Sequence, residues 1–336
     1  MCPFGSVAEV PNNSAMRVLV TGGAGFVGLN LCRHLLSVGG YHLTVLDNLS
    51  AGQIERPPAG VNLVEGDYTE AETLAHCLRG IDTVVHLAAS AGVRASIADP
   101  RPSFRTNVEG SFRLLEMARR ANVGKFINAS TAGAMSGDVE APITERMPPS
   151  PRSPYGASKL AVEGYCSAFA RSYGLRCVTL RFSNVYGPRS AHKDTAVSTF
   201  IKNILTAKPL VIYGDGTQRR DYLYVGDLVG GIEAALARPL SGIYHLGSGR
   251  PTTLLTLIAT LKKVSGNDFE VHHVAPRTGE VHSTWCSIGK ARRDFAYSAP
   301  TGLKAGLTDT WRWYVDNRDL WSQLPIRPAA DINGPA

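Results

Sequence analysis

Tyr155 and Lys159 stand four residues apart, directly after Pro154. Proline is favoured in the first turn of a helix, and residues four apart on a helix share a face. A tyrosine phenol titrates near about 10, and an ammonium beside it stabilises the phenolate and lowers that value. Tyr155 placed in this way would serve as a general acid/base near neutral pH. Ser130 and Thr131 lie just past the short strand pattern Lys125–Asn128. Either hydroxyl, at a strand end, would bond the oxygen on which Tyr155 acts. A tyrosine and a lysine at helical spacing are commonly just an amphipathic surface, so their weight depends on what precedes them.

What precedes them is a nucleotide loop. Gly22, Gly25 and Gly28 sit between the β-branched run Arg17–Thr21 and an amphipathic stretch, Gly28–Ser37. In that context the first glycine permits a tight turn, the second lets a pyrophosphate approach the backbone, and the third allows close helix–strand packing. The helix start then offers free N–H groups and a positive dipole end to phosphate. Asp47 closes the next strand pattern, where a carboxylate holds the ribose hydroxyls of NAD and repels the 2′-phosphate of NADP. The residues after it are Asn48, Leu49 and Ser50, with no arginine, so NAD is the expected cofactor. Asp67 ends the third strand pattern and is a candidate acceptor for the adenine amino group. A nicotinamide cation beside Tyr155 would lower the phenol further.

The elements that must position these groups alternate. Strand patterns at Arg17–Thr21, Thr44–Leu46, Asn62–Glu65, Thr83–Leu87, Lys125–Asn128 and Arg176–Arg181 are separated by helical ones, among them Glu70–Arg79, Arg105–Ala121 and Tyr155–Tyr173. This is an α/β chain with a doubly wound parallel sheet, buried on both faces where RVLV and TVVHL lack polar alternation. After about residue 185 the pattern loosens, with short strands at Leu210–Tyr213, Ile243–Leu246 and Glu270–His273 and a helix at Thr253–Ser265. The expected organisation is a flexible extension over 1–15, a cofactor domain over 16–185, a smaller substrate lobe with chain excursions over 186–320, and a flexible tail over 321–336. The chain has 336 residues, 44% of them hydrophobic and 19% charged, an ordinary globular composition with no run long enough to span a membrane. Its net charge of +7 is spread along the chain, which suits an anionic small substrate better than nucleic acid. Six cysteines without CxxC spacing, and no secretory leader pattern, point to buried reduced thiols in the cytoplasm. No metal site is expected.

TGGAGFVG, LDN, HLAA, STAG, YGASK and RFSNVYGPR, in that order, resemble the extended short-chain dehydrogenase/reductase family over about residues 16–315. The resemblance implies a Rossmann domain with a smaller C-terminal lobe binding a nucleotide-sugar, and Tyr155 and Lys159 as the catalytic pair. It implies that Phe26, Val27, Asn48, Tyr68, Leu87, Ala88, Ala89 and Asn107 join the glycines, Asp47 and Asp67 around NAD. On the substrate side it implies Asn184 at the sugar or diphosphate, Arg220 and Arg277 on the diphosphate, and Arg94, Thr131, Ala132 and Arg189 facing the ligand. Guanidinium suits phosphate because the pairing is bidentate and charge-assisted. The 4,6-dehydratases of this family carry an Asp-Glu pair after the residue matching Thr131, and the UDP-glucuronate decarboxylases a glutamate nearby. Here Ala132-Gly133-Ala134-Met135 follows, with no carboxylate before Asp138. AGVRASI and HSTWCSIGKA resemble the uronate branch, so the chain is most similar to bacterial UDP-glucuronate 4-epimerases. The expected activity is NAD-dependent C4 epimerisation of a UDP-sugar by a homodimer. UDP-glucose epimerase, UDP-glucuronate decarboxylase and a non-catalytic NAD-binding protein are the alternatives. GAMS (133–136) departs from the family's usual VYG, and either Ser130 or Thr131 remains the candidate hydroxyl.

Overall fold

The computed structural model describes residues 15–50, 55–137, 139–276 and 282–324. The first half runs β1 (Met16–Thr21), α1 (Phe26–Val38), β2 (Tyr41–Asp47), β3 (Val61–Glu65), α2 (Ala71–Cys77), β4 (Thr83–His86) and α3 (Val93–Ala98). A π-helical stretch, Ser103–Gly110, leads into α4 (Ser111–Arg120), β5 (Lys125–Thr131), α5 (Gly133–Ser136), α6 (Pro154–Tyr173) and β6 (Arg176–Phe182). Then come β7 (Asn184–Tyr186), α7 (Ala196–Leu205), β8 (Leu210–Tyr213), β9 (Arg219–Tyr224), α8 (Val225–Ala237) and β10 (Gly242–Leu246). β11 (Pro251–Thr253), α9 (Leu254–Ser265), β12 (Val271–Val274), β13 (Ser283–Thr284), α10 (Gly289–Phe295), α11 (Leu303–Asp316) and α12 (Arg318–Ser322) follow.

Seven strands form one parallel sheet in the order β10-β6-β5-β4-β1-β2-β3. Side chains alternate across it. Val18 and Val20 of β1 enter a core with α1, α8 and α10, while Leu19 enters a second core with α2, α4 and α6. Both faces are covered, which is why these strands read as continuous apolar runs. The strand expected at Ile243–Leu246 in the smaller lobe instead completes this sheet as β10, beside β6. α8 returns with it and packs on α1. Lys125 fixes that return: its buried ammonium donates to the carbonyls of Ala235, Leu236 and Arg238 at the end of α8. Burial pushes its pKa down to about 8.

The smaller lobe has a third core, from α7, α9, α11 and α12. Its strands are β7 and β9 with β11 and β13, and the pair β8–β12. Among the described residues no helix is long and apolar enough to cross a membrane. Cys32, Cys77, Cys166, Cys177 and Cys286 are buried free thiols.

Candidate active site

A crevice opens at the carboxyl ends of β1, β2 and β4, where the strand order reverses between β1 and β4. Ligands of doubly wound sheets bind at such a point. Gly22, Gly25, Asp47, Asn48, Asp67, Tyr68, Leu87, Ala88 and Ala89 all line it. Gly22 has φ +71°, and a Cβ there would lie 2.6 Å from the Ala88 amide nitrogen. Glycine therefore lets the loops after β1 and β4 touch. The first-turn amides of α1 follow, with Gly25 at the N-cap and no side chain closing them. The Phe26 side chain is buried in the core and Val27 packs against it. Neither residue is among those lining the crevice.

The Asp47 carboxylate accepts from the amides of Ala24 and Leu49, both at 2.9 Å, so it also braces the glycine loop. Asp67 accepts from the Thr69 amide and hydroxyl and from Asn48 Nδ2, each at 2.8 Å. Burial raises its pKa, but these bonds outweigh burial and hold it below the usual carboxylate range. Tyr68 donates to Thr106 O at 2.6 Å. Asn107 lies in the π-helical stretch, a form that often marks functional sites. Its side chain holds the Ser90 backbone through both N–H and C=O and donates to Ser158 Oγ at 2.9 Å. It thereby ties the loop after β4 to α6.

Tyr155 opens α6. Ser153 caps the helix from Gly156 N at 3.1 Å. Ser96, from AGVRASI, accepts from Tyr155 N at 3.1 Å, and Ser158 donates back to Tyr155 O at 2.8 Å. A Cβ on Gly156 would sit 2.1 Å from Ala134 O, so glycine lets α5 press onto α6 next to Tyr155. Lys159 is buried, donates to Ala129 O at 3.1 Å, and lies 6.0 Å from the Tyr155 ring centroid. Burial pulls its pKa down to about 8, against the pull of Glu163. The phenol departs from the sequence expectation: burial pushes Tyr155 up to about 12. The ammonium is bonded to a carbonyl rather than to the phenol, so it does not offset the loss of water.

Ser130 and Thr131 are adjacent on β5 and so point to opposite faces. Ser130 Oγ donates to Glu163 at 2.7 Å. Glu163 also accepts from Arg181 Nε at 2.9 Å and Nη2 at 2.7 Å, forming a buried ion pair. Ser130 therefore belongs to this internal network. Thr131 is half-buried at the strand end, with its hydroxyl 3.5 Å from Ala134 N.

On the substrate side, Asn184 is exposed on β7 opposite Tyr222 of β9. Arg220, two residues before Tyr222, shares its strand face and donates to Arg219 O and His282 O. Asp221 faces the other way, wholly buried, and accepts from Ser248, Gly249 and Cys286 amides. In sequence it stands in GDGTQRRDYLYVGD, which resembles the family's GDGxxxRDYxxVxD segment, where the residue type alone does not tell a buried acceptor from a ligand contact. Arg94 is exposed on α3, two residues before Ser96. Arg189 Nε pairs with Glu55 at 3.0 Å, and Arg33 joins the same carboxylate, so Arg189 pins the loop after β7. Ala132 is turned inward at 3% exposure, its N–H donating to Phe182 O and its C=O accepting from Ser136. Arg277 lies outside the described residues. A larger cavity of about 570 Å³, between α6, β6 and the β10 edge, contains none of the residues expected at the site.

Residues 18–247 match the model of the NAD dependent epimerase/dehydratase family. The chain belongs to that family. The enzyme is similar to a solved UDP-glucose 4-epimerase from Thermotoga maritima with UDP-glucose, at 36% identity and TM-score 0.86, covering 90% of this chain and 100% of that one. It is similar to a UDP-glucuronic acid 4-epimerase from Bacillus cereus in complex with UDP-glucuronic acid and NAD, at 33% identity and TM-score 0.82, covering 90% and 99%. It is also 36% identical over 323 residues to a dTDP-glucose 4,6-dehydratase from Mycolicibacterium smegmatis, covering 92% of this chain and 96% of the relative. NAD is the cofactor of the enzyme. The glycine approach at Gly22, the bare first turn of α1 and the acidic end of β2 fit it.

Proposed function

We propose that the enzyme is a UDP-sugar 4-epimerase, and that its substrate pair is UDP-glucuronate and UDP-galacturonate. The observation that carries the reading is the catalytic set itself. Asn107 links Ser90 in the crevice lining to Ser158, which bonds Tyr155 O, Lys159 bonds Ala129 on the strand that ends at Thr131, and Ala132–Gly137 supplies no carboxylate. Eliminating water across C5–C6 needs a further proton carrier, and inverting C4 does not. When bound, NAD would supply a hydride acceptor and a positive charge. Tyr155 takes the C4 hydroxyl proton and later returns it to the C4 oxygen, the inversion arising because the hydride comes back to the other face of the turned ketone. Lys159 holds the helix start to β5 and keeps a positive charge near the phenolate. Thr131 bonds the reacting oxygen. The 4-keto sugar turns over about its diphosphate link, held by Arg220 with Asn184 at the sugar end and Arg277 as a second diphosphate ligand.

The uronate reading is supported by where its two sequence segments fall. AGVRASI supplies Ser96 to Tyr155 and carries Arg94 exposed two residues before it. HSTWCSI supplies Thr284, whose methyl lies 3.1 Å from where a Gly133 Cβ would be, two residues past Thr131. UDP-glucose is the second reading, favoured by the Thermotoga relative. We take the enzyme to work in the cytoplasm as a homodimer, and the exposed aromatic rings of Phe112, Tyr165 and Tyr173 on α4 and α6 favour self-association. Light scattering on the eluting protein tests this.

The test of substrate is a pair of incubations without added NAD, followed by NMR. UDP-glucuronate should give UDP-galacturonate, and UDP-glucose should turn over much more slowly, because donors built for a carboxylate are left unpaired. Faster turnover of UDP-glucose would overturn the uronate assignment. The hydroxyl assignment has its own test. Thr131→Val should lower kcat by about 10- to 100-fold through one lost hydrogen bond to a charged group. Ser130→Ala should leave kcat near wild type and lower Tm, because Glu163 loses a donor. The reverse pattern would return the role to Ser130.

A further inference from the structure

His192 and Lys193 come from the loop between β7 and α7, yet they line the same crevice as Gly22 and Gly25. Nothing in the sugar chemistry uses them. Both ring nitrogens of His192 are buried without a hydrogen-bond partner among the described residues. Burial, together with the charges of Lys193 and Lys202, pushes its pKa down to about 4, so the ring is neutral and carries one N–H. Lys193 is half-buried in the same lining, and burial pulls its pKa down against the pull of Asp194. Native proteins rarely leave buried polar atoms such as the His192 ring nitrogens unpaired, and each calls for a partner.

The loop that carries them is held firmly. Ser190 donates to Gly187 O at 2.7 Å, Lys202 donates to Ala191 O at 3.0 Å, and Arg189 is locked to Glu55. The two side chains are therefore presented to the crevice by a fixed support. NAD carries its negative charge on its diphosphate, while its adenine and ribose rings are neutral. We propose that Lys193 and His192 clamp the cofactor's diphosphate from the smaller lobe, lysine by ion pairing and histidine by a neutral N–H, facing the glycine-loop amides on the other side. NAD is then enclosed between the two lobes and stays bound through turnover. The inference rests on NAD as cofactor and is independent of which sugar is epimerised.

The test measures cofactor retention. Lys193→Ala, Lys193→Arg and His192→Phe would be purified and desalted, and NAD per chain and its release rate measured by chromatography of the denatured protein. Lys193→Ala should release NAD about 10- to 100-fold faster, as expected for one charge-assisted bond, and Lys193→Arg should restore most of the retention. Cofactor-free Tm should be near the wild-type value in Lys193→Ala and unchanged or higher in His192→Phe, which removes unpaired ring nitrogens, while the rise in Tm on adding NAD should shrink in both. UDP affinity at saturating NAD should stay at the wild-type value. Wild-type NAD release from Lys193→Ala would overturn the proposal. A loss of UDP affinity with NAD release unchanged would also overturn it and reassign Lys193 to the sugar nucleotide's diphosphate.

Discussion

Replacing Tyr155 by phenylalanine is expected to lower kcat by about 10²- to 10⁴-fold, the usual loss when a positioned acid/base is removed. The phenyl ring keeps the packing, and the bond from the residue 155 amide to Ser96 Oγ is a backbone bond that survives. Retained NAD and Tm should therefore match wild type, and UDP binding should persist. Burial holds the free phenol up to about 12, so the proton it transfers must be made labile by what is seated beside it. A phenylalanine variant with more than half of wild-type kcat would remove Tyr155 from the mechanism.

The second large effect is on stability. Glu163 accepts from Arg181 Nε and Nη2 and from Ser130, and both charged side chains are at most 6% exposed. Glu163→Ala leaves a buried guanidinium without its counter-charge. Breaking a buried pair in this way costs on the order of 3–5 kcal/mol. In a chain of this size that corresponds to a fall in Tm of about 5–10 °C by calorimetry. Replacing both partners by apolar residues, Glu163→Leu with Arg181→Met, should recover most of the loss, since such swaps are often neutral. A single variant melting within a degree or so of wild type would show that the pair contributes little.

The sequence discloses the cofactor side well because its requirements are local. Gly22, Gly25 and Gly28 are each needed by a contact within a few residues or across one strand pair, and Asp47 is placed by the end of β2. Residue types at fixed spacing carry that information. The choice between Ser130 and Thr131 stays open in sequence because it depends on Glu163, 33 residues further on, and on a buried arginine beyond it. Arg189 is held by Glu55, 134 residues away, a tie that spacing does not show. Ser96 acts on Tyr155 across 59 residues. The seventh strand, β10, is invisible as such because a short apolar run does not say which sheet it joins. The upward push on the Tyr155 phenol is not legible in sequence, because neighbours can be read from spacing and burial cannot.

The most direct test of the account uses UDP-glucuronate deuterated at C4, given to the enzyme as purified without added NAD, with products followed by NMR. If Tyr155 and the retained cofactor invert C4 through a ketone, UDP-galacturonate should form with deuterium still at C4. No carbon dioxide should be released, and no reduced cofactor should accumulate. Deuterium lost to water, or a pentose product formed with stoichiometric carbon dioxide, would contradict it.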